Sequence, residues 1–342
     1  MYRKLNTIDD QAQREFTSAR ASLLADGASG IALTTWPSWG EPLSPGTDAL
    51  RRKLIGIHES GVLGSAFPPI LVAELVQSFL AERDLVPSST QATISVTVPV
   101  AIAGPVRPGP GAAAERSGDG WAVAGTAVRL PTLPTVSAGV SVFRTGDATH
   151  TLGIGGVVVS DSPTGSLAPA IRMIDESFAA DAVIGILTDD DADELARTIV
   201  LGVSAALLAY VDDLLDFSLT ELRELKARRE GKWAGQAFKH EVANVVMRRD
   251  IALLHALHCL EDWENASGGA DADTYALLAL IEATESCSAG LSTFRRLCGE
   301  KGDVIGTAKA ESIRAQADLL CDLTGQGIHL RTWLFASAVG RN

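Results

Sequence analysis

The sequence lacks the short motifs that assign a chemistry by themselves. It has no Gly-x-Ser-x-Gly turn, no Gly-x-Gly-x-x-Gly after a strand, no phosphate-binding loop and no His-Glu-x-x-His helix. The hydrolase, dinucleotide-binding, nucleotide triphosphatase and zinc-protease classes that use these motifs are therefore not indicated. Candidate functional residues must instead be found from their position along the chain.

Cysteine is scarce, and none of the four residues has the Cys-x-x-Cys spacing of a redox or zinc motif. They fall on predicted helices, where free thiols in a reducing compartment are the simplest interpretation, so we expect a cytoplasmic protein. His255 and His258 lie three apart on one helical face, a spacing that can hold a metal ion. The sequence places no third ligand beside them, so we predict no metal site. The cysteines are Cys259, Cys287, Cys298 and Cys321.

Positive charge is also scarce, with 29 Lys and Arg residues against 42 Asp and Glu residues and a net charge of −13. Like charges repel phosphate backbones and anionic lipid, so we expect neither nucleic acid nor a membrane surface as a partner. The concentrated basic cluster at residues 223–232 is interpreted most simply as a solvated helix end.

Long apolar runs are absent as well. Met1–Asp10 has no apolar core of the kind a signal peptide needs. The most apolar helical stretch, Ile199–Tyr210, is interrupted by Gly202 and Ser204 and is too short to span a bilayer. The sequence therefore predicts a soluble protein.

What is present is an ordinary globular composition, 46% hydrophobic and 21% charged, arranged in three segments. Residues 1–90 are typical of helices, of which 71–82 is the clearest. Residues 91–185 alternate apolar and polar side chains between turn residues, which predicts strands. The predicted strands are Thr93–Val98, Trp121–Val123, Val140–Phe143 and Gly155–Val159.

The last segment, residues 186–342, predicts four long helices. Asp189–Asp191 can cap the first of them, and apolar residues then recur four apart along one face. Four helices of this length pack naturally as an antiparallel bundle. The third has apolar residues on more than one face, which predicts self-association through the bundle. The helical patterns cover residues 192–227, 235–265, 272–299 and 304–323.

This order of elements, with three local matches, resembles the acyl-CoA dehydrogenase superfamily. The matches are the Asp119-Gly120-Trp121 turn and strand, the Gly202 helix followed by the helix that opens at Gln236, and the glycine loop at 323–328. The resemblance implies an α+β fold with N-terminal helices, a small central β-domain and a C-terminal four-helix bundle. We place these domains at residues 1–90, 91–185 and 186–342.

The chain also departs from the family pattern. Ala127 stands where the family usually has lysine, residues 101–105 replace a strand that contacts flavin, and the sequence ends soon after the 323–328 loop. The chain is identified as a divergent, truncated member of the superfamily.

The resemblance implies FAD as the cofactor. Family members contact FAD with an Arg-x-x-Phe-Gly motif and a glutamine, and this chain has residues 228–233 and then Gln236 in that place. Arg228, Arg229 and Gln236 are the predicted cofactor-binding residues, because guanidinium groups bind phosphate oxygens through paired hydrogen bonds. The alternative is that the two arginines form a solvated basic turn.

The predicted catalytic residues are Glu194 and His329. Proton abstraction from an acyl thioester needs a carboxylate base, which works best when burial raises its pKa. Some family members place this base at the start of the first bundle helix, where Glu194 follows Asp191 and Asp193. Three close carboxylates also suit a helix N-terminus as an ordinary capping cluster. His329 lies in a loop just after Gly327, where function concentrates.

Two functions remain open. The first is an acyl-CoA dehydrogenase-like flavoprotein oxidoreductase that acts on an acyl thioester of coenzyme A or of a carrier protein, with specialised metabolism as one setting. The second is a family derivative without flavin, either a non-redox enzyme or a non-catalytic subunit that pairs with a complete homologue. The resemblance implies a homodimer or a hetero-oligomer with a homologue.

Overall fold

A computed structural model describes ten stretches of the chain. They are residues 45–63, 67–83, 94–99, 113–129, 138–145, 151–156, 170–227, 236–264, 269–301 and 304–324. Six α-helices fall within them: α1 (Pro45–Glu59), α2 (Phe67–Ala81), α3 (Asp189–Ala227), α4 (Gln236–Glu264), α5 (Gly269–Lys301) and α6 (Val304–Leu323). The strands are β1 (Ile94–Pro99), β2 (Ala113–Ser117), β3 (Gly120–Arg129), β4 (Ala138–Thr145), β5 (Thr151–Gly156), β6 (Ala170–Phe178) and β7 (Val183–Leu187).

The seven strands form one mixed sheet. β1 and β2 lie between β3 and β4 and occupy successive lengths of them, pairing antiparallel with β3 and parallel with β4. On one side β6 runs antiparallel along β3, and on the other β5 and then β7 continue the sheet with antiparallel pairs. This small sheet confirms the fold class predicted for the middle of the chain.

The predicted turn before Trp121 is confirmed as the β2–β3 hairpin. Gly118 has a φ of 58°, in the left-handed region that suits glycine. Gly120 is needed for a different reason, because a Cβ there would lie 2.3 Å from the carbonyl oxygen of Phe178. Only a residue without a side chain therefore lets β3 approach the end of β6 so closely.

All four long helices predicted for the last segment are present, with their ends within a few residues of the predicted bounds. The cap of α3 differs from the prediction, because Thr188 and not the first aspartates caps it. The Thr188 Oγ1 accepts from the Asp191 backbone N–H at 3.1 Å, and Asp191 Oδ2 in turn accepts from the Thr188 backbone N–H at 3.4 Å and from the Thr188 hydroxyl at 2.6 Å. This reciprocal pair is a capping box, with a carboxylate at its third helical position.

The prediction that the apolar stretch of α3 is too short to span a bilayer was wrong. The segment Asp193–Thr220 is continuous helix and is long and apolar enough to cross a membrane by length and composition. However, 89% of its most apolar window is buried inside the protein. Packing against neighbouring helices accounts for that composition, as it does for the central helix of any bundle.

The described residues divide into two compact units. The sheet unit comprises residues 69–200 and 319–324, and the bundle unit comprises 45–68 and 201–318. Both units are built from segments distant in sequence. The domain boundaries expected from the sequence, 1–90, 91–185 and 186–342, stay a prediction.

The core of the bundle unit lies around α3 and α5. Tyr210 and Phe294 are among its largest fully buried side chains, and the Phe217 and Phe294 rings are 4.7 Å apart. On α5, Leu277, Leu280 and Ile281 are buried within the chain itself. Packing within the chain thus buries most of the apolar side chains of α5 from which self-association was predicted. Self-association stays a prediction.

Candidate functional site

The predicted base, Glu194, lies in an ion-pair cluster where α2 meets the start of α3. Arg83, just beyond α2, places its Nε 2.6 Å from Asp191 Oδ1 and its Nη2 2.5 Å from Glu194 Oε2. Its guanidinium also lies 3.5 Å from the centroid of the Phe79 ring. One arginine thus holds two carboxylates and stacks on an aromatic ring, a combination that lysine could not reproduce.

This cluster favours the ionised form of Asp191. The Thr188 hydroxyl bond and the Arg83 bond together hold the pKa of Asp191 below its usual value. A general base benefits from the opposite environment, burial without a strong cationic partner. The base role of Glu194 stays a prediction, and it would require Arg83 to release the carboxylate.

The other described residue of the predicted site is Gln236, and it is the first residue of α4. Its backbone is described, whereas its side chain is not. Two residues later, Phe238 is buried. Three residues beyond Phe238, the Glu241 carboxylate accepts hydrogen bonds from both Nη groups of Arg296 on α5. The Arg296 guanidinium also lies 5.8 Å from the Phe238 ring centroid. The start of α4 is thus anchored to α5 by two contacts.

Several predicted residues lie outside the described part of the chain. They are Arg228, Arg229 and His329, together with the 323–328 loop beyond Thr324 and residues 101–105. Their roles therefore stay predictions.

A second ion-pair cluster, the Asp212 cluster, lies in the bundle unit. Asp212 on α3 is 2.8 Å from His58 Nε2 of α1 and 2.7 Å from Arg249 Nε of α4. The neighbouring Asp213 is 2.6 Å from Lys309 Nζ of α6. Two consecutive aspartates in an apolar helix therefore join it to three other helices.

The electrostatics of this cluster are set by two opposing effects. Burial alone would raise the pKa of Asp212, but the hydrogen bond and charge of His58 and the charge of Arg249 outweigh it, so the pKa lies below the usual value. The side chains of His58 and Arg249 are only 4% and 18% exposed. Asp212 is therefore the partner of a buried histidine, whereas Arg249 also contacts the exposed Asp250 at 3.0 Å.

The histidine pair on α4 gives no metal site among the residues that the structure describes, where no group of three His, Cys, Asp or Glu could hold an ion. His255 and His258 instead flank the Tyr275 ring, at centroid distances of 5.9 and 5.3 Å. Burial lowers the pKa of His255, which Glu282 opposes and His258 reinforces. His258 pairs with Glu261 at 3.1 Å. All four cysteines are free thiols, as predicted.

Sequence reasoning missed the partners in these clusters, although some signals were available. The Thr188-x-x-Asp191 spacing is a capping-box signature. Asp212 and Asp213 stand out as charges within an apolar helix, and such charges need partners. Nothing in the sequence singles out Arg83 or Arg296, because their carboxylate partners are far away along the chain.

No protein-family sequence model matches the chain, and neither does any curated protein sequence. Solved structures do match. A chain of the ChsE4-ChsE5 complex from Mycobacterium tuberculosis matches with a TM-score of 0.65 and 16% identity, over 99% of this chain and 91% of that one. The Tcur3481-Tcur3483 steroid acyl-CoA dehydrogenase variant matches with a TM-score of 0.63 and 18% identity, over 97% of this chain and 90% of that one. The flavoprotein nitroalkane oxidase matches with a TM-score of 0.56 and 12% identity, over 96% of each chain.

This chain has the acyl-CoA dehydrogenase fold. The low identities make it a divergent example of that fold, as the sequence predicted. Of the residues predicted to bind FAD, the described one is Gln236, which begins a long helix. The position of the Gln236 backbone at the start of a long helix agrees with the predicted cofactor role, which stays a prediction. The fold by itself leaves the activity open.

Proposed function

We propose that the protein is an acyl-CoA dehydrogenase-like flavoprotein oxidoreductase that acts on an acyl thioester of coenzyme A or of a carrier protein. The observation that supports this most is the similarity of nearly the whole chain, sheet and bundle together, to solved proteins of this fold. A cytoplasmic location is part of the proposal, in keeping with four free thiols.

The residues that would hold FAD are Arg228, Arg229 and Gln236. The arginines would bind pyrophosphate oxygens through charge-assisted hydrogen bonds, and Gln236 would offer an amide from the first turn of α4. When bound, FAD supplies the hydride acceptor that side chains cannot provide. The protein's part is to bind and orient the cofactor and the thioester.

The first test is flavin binding by the purified protein. We expect flavin absorbance bands after incubation with FAD and gel filtration, and a calorimetric binding signal. Replacing Arg228 and Arg229 with alanine should remove bonds that contribute about 1.5–3 kcal/mol each, and so release FAD. Arg314→Ala, on the exposed face of α6, is the matched control and should leave binding unchanged. A colourless wild type without a calorimetric signal would overturn the flavin part of the proposal.

A second candidate function is a flavin-less subunit that pairs with a complete homologue. It is favoured by the engagement of Glu194 with Arg83, which leaves the predicted base in an ion pair. The matched solved structures include a complex of two named chains, ChsE4 and ChsE5. Light scattering of the chain alone and mixed with a homologue of the same fold separates the candidates. A stable mixed oligomer that contains FAD only when the homologue is present supports the second, whereas a flavin-loaded homodimer supports the first.

A further inference from the structure

The start of α4 is joined to α5 by one residue in two ways. Arg296 donates from both Nη groups to the two oxygens of Glu241, one bond measuring 3.0 Å. The same guanidinium lies 5.8 Å from the ring of Phe238. Phe238 and Glu241 are three residues apart, so they lie on one face of the helix. One guanidinium can serve both, because it donates paired hydrogen bonds to the carboxylate while its charge is attracted to the ring.

The position of this link along the helix matters. The two helices are antiparallel, because Glu241 meets Arg296 while Arg248 meets Glu282 and Glu285. Arg248 lies about 18 Å from Gln236 along the helix axis, whereas Glu241 lies about 7–8 Å from it. The Arg296 link, in contrast, acts on the first turns. Helix ends open more readily than helix centres, since their first amides have no acceptor within the helix.

We infer that Arg296 is a positioning residue that fixes the first turn of α4, and with it Gln236, for the cofactor. The cofactor part of this inference rests on the proposed function. Phe238 is 4% exposed and provides the fixed point, whereas Glu241 provides the charge that orients the arginine. Arg296 need not touch the flavin to act, because it limits the conformations of the turn that carries the contacting residue.

The global stability of the protein should depend little on this link. The side chains of Arg296 and Glu241 are 44% and 39% exposed, and ion pairs that exposed contribute little to unfolding free energy. A local effect on the helix start is therefore separable from a general loss of structure.

The test compares Arg296→Met with Arg248→Met, which breaks an ion-pair link between the same two helices. Hydrogen exchange is measured without flavin at the amides of residues 240–243, whose bonds to the carbonyls of 236–239 close the first turn. In R296M these amides should exchange about two- to fivefold faster than in wild type, with an unchanged melting temperature. R248M should leave them unchanged. R296K keeps the charge but loses the paired bonds, and should recover part of the protection.

Affinity for FAD is the second readout. R296M should bind FAD about two- to fivefold more weakly than wild type, because the competent turn is populated less, and R248M should bind as wild type does. Equal exchange at residues 240–243 in wild type and R296M, or equal acceleration in both variants, overturns the inference. If R296M opens the turn but wild type binds no FAD, the positioning of the turn stands and the flavin part of the proposed function fails.

Discussion

Two ion-pair clusters on α3 use the same chemistry in different surroundings. At the start of the helix, Asp191 and Glu194 are 31% and 35% exposed and share Arg83, which is 20% exposed. Farther along, Asp212 is similarly exposed at 34%, but its partner His58 is almost fully buried. The exposure of the carboxylate is thus nearly equal in the two clusters.

The difference lies in what remains when a carboxylate is removed. Arg83 can turn to water or keep its second carboxylate. Arg249 likewise keeps a second carboxylate, Asp250, at 3.0 Å. His58 differs, because its side chain is only 4% exposed and would stay buried after losing its bond to Asp212. The comparison teaches that the burial of the partner, more than that of the carboxylate, decides how much an ion pair contributes to the free energy of unfolding.

The largest effect is expected for Asp212→Asn. Loss of the charge should lower the free energy of unfolding by about 1–3 kcal/mol, because it weakens the hydrogen bond to the buried His58, whereas Arg249 keeps Asp250. Urea unfolding followed by circular dichroism measures it. Asp213→Asn is the matched control, since its partner Lys309 is 39% exposed, and it should cost less than about 1 kcal/mol. Equal costs for the two variants would contradict the comparison.

Low pH should remove part of the contribution that Asp212 makes to the free energy of unfolding. The pKa of Asp212 in the folded protein lies below the usual value for an aspartate, because burial, which would raise it, is outweighed by the His58 hydrogen bond and the Arg249 charge. A lowered carboxylate pKa stabilises the folded state fully above the unfolded value, and the contribution is lost as the pH falls through the folded pKa. The difference in unfolding free energy between wild type and D212N should therefore shrink as the pH falls below about 4. Urea midpoints at several pH values test this, and a difference that persisted unchanged at low pH would argue against it.

Arg83→Met should have an intermediate effect of about 0.5–1.5 kcal/mol. The variant loses two partly exposed ion pairs and the stacking on Phe79. Because the pairs are partly exposed, 1 M salt should reduce the difference between wild type and R83M, whereas the D212N difference should change less. If salt affected both variants alike, the two clusters would not differ in the way described.

The smallest effect is expected for Arg314→Gln. Arg314 and Asp318 on α6 are 3.6 Å apart and 58% and 70% exposed. Such an i,i+4 pair contributes at most about 0.5 kcal/mol. A melting temperature within about 1–2 °C of wild type is expected. A larger loss would mean that partner burial is not the deciding variable.

Much of the secondary structure could be predicted from the sequence. The helices α3 to α6 have long apolar periodicities, and these determine helices whatever surrounds them. The strands β2, β6 and β7 were not predicted. β2 is short and polar, and β6 and β7 owe their pairing to β3 and β5, which lie elsewhere in the sequence.

The site could be predicted less well. Gln236 begins α4, as predicted. This position was predictable because the local motif and the helical periodicity both mark it. The ion pair of Glu194 was not foreseen, because Arg83 is separated from it by the whole sheet along the chain. Sequence spacing carries no information about such partners.

By itself the sequence determined the class and order of elements, a small sheet followed by long helices, since periodicity, turns and caps are local properties. The tertiary structure alone decided which charges meet. Arg83 joins two carboxylates of α3, Asp212 joins three helices and Arg296 anchors the start of α4. Each contact exists because folding brings distant segments within a few ångströms, and the energy of each depends on burial that only the packed chain defines.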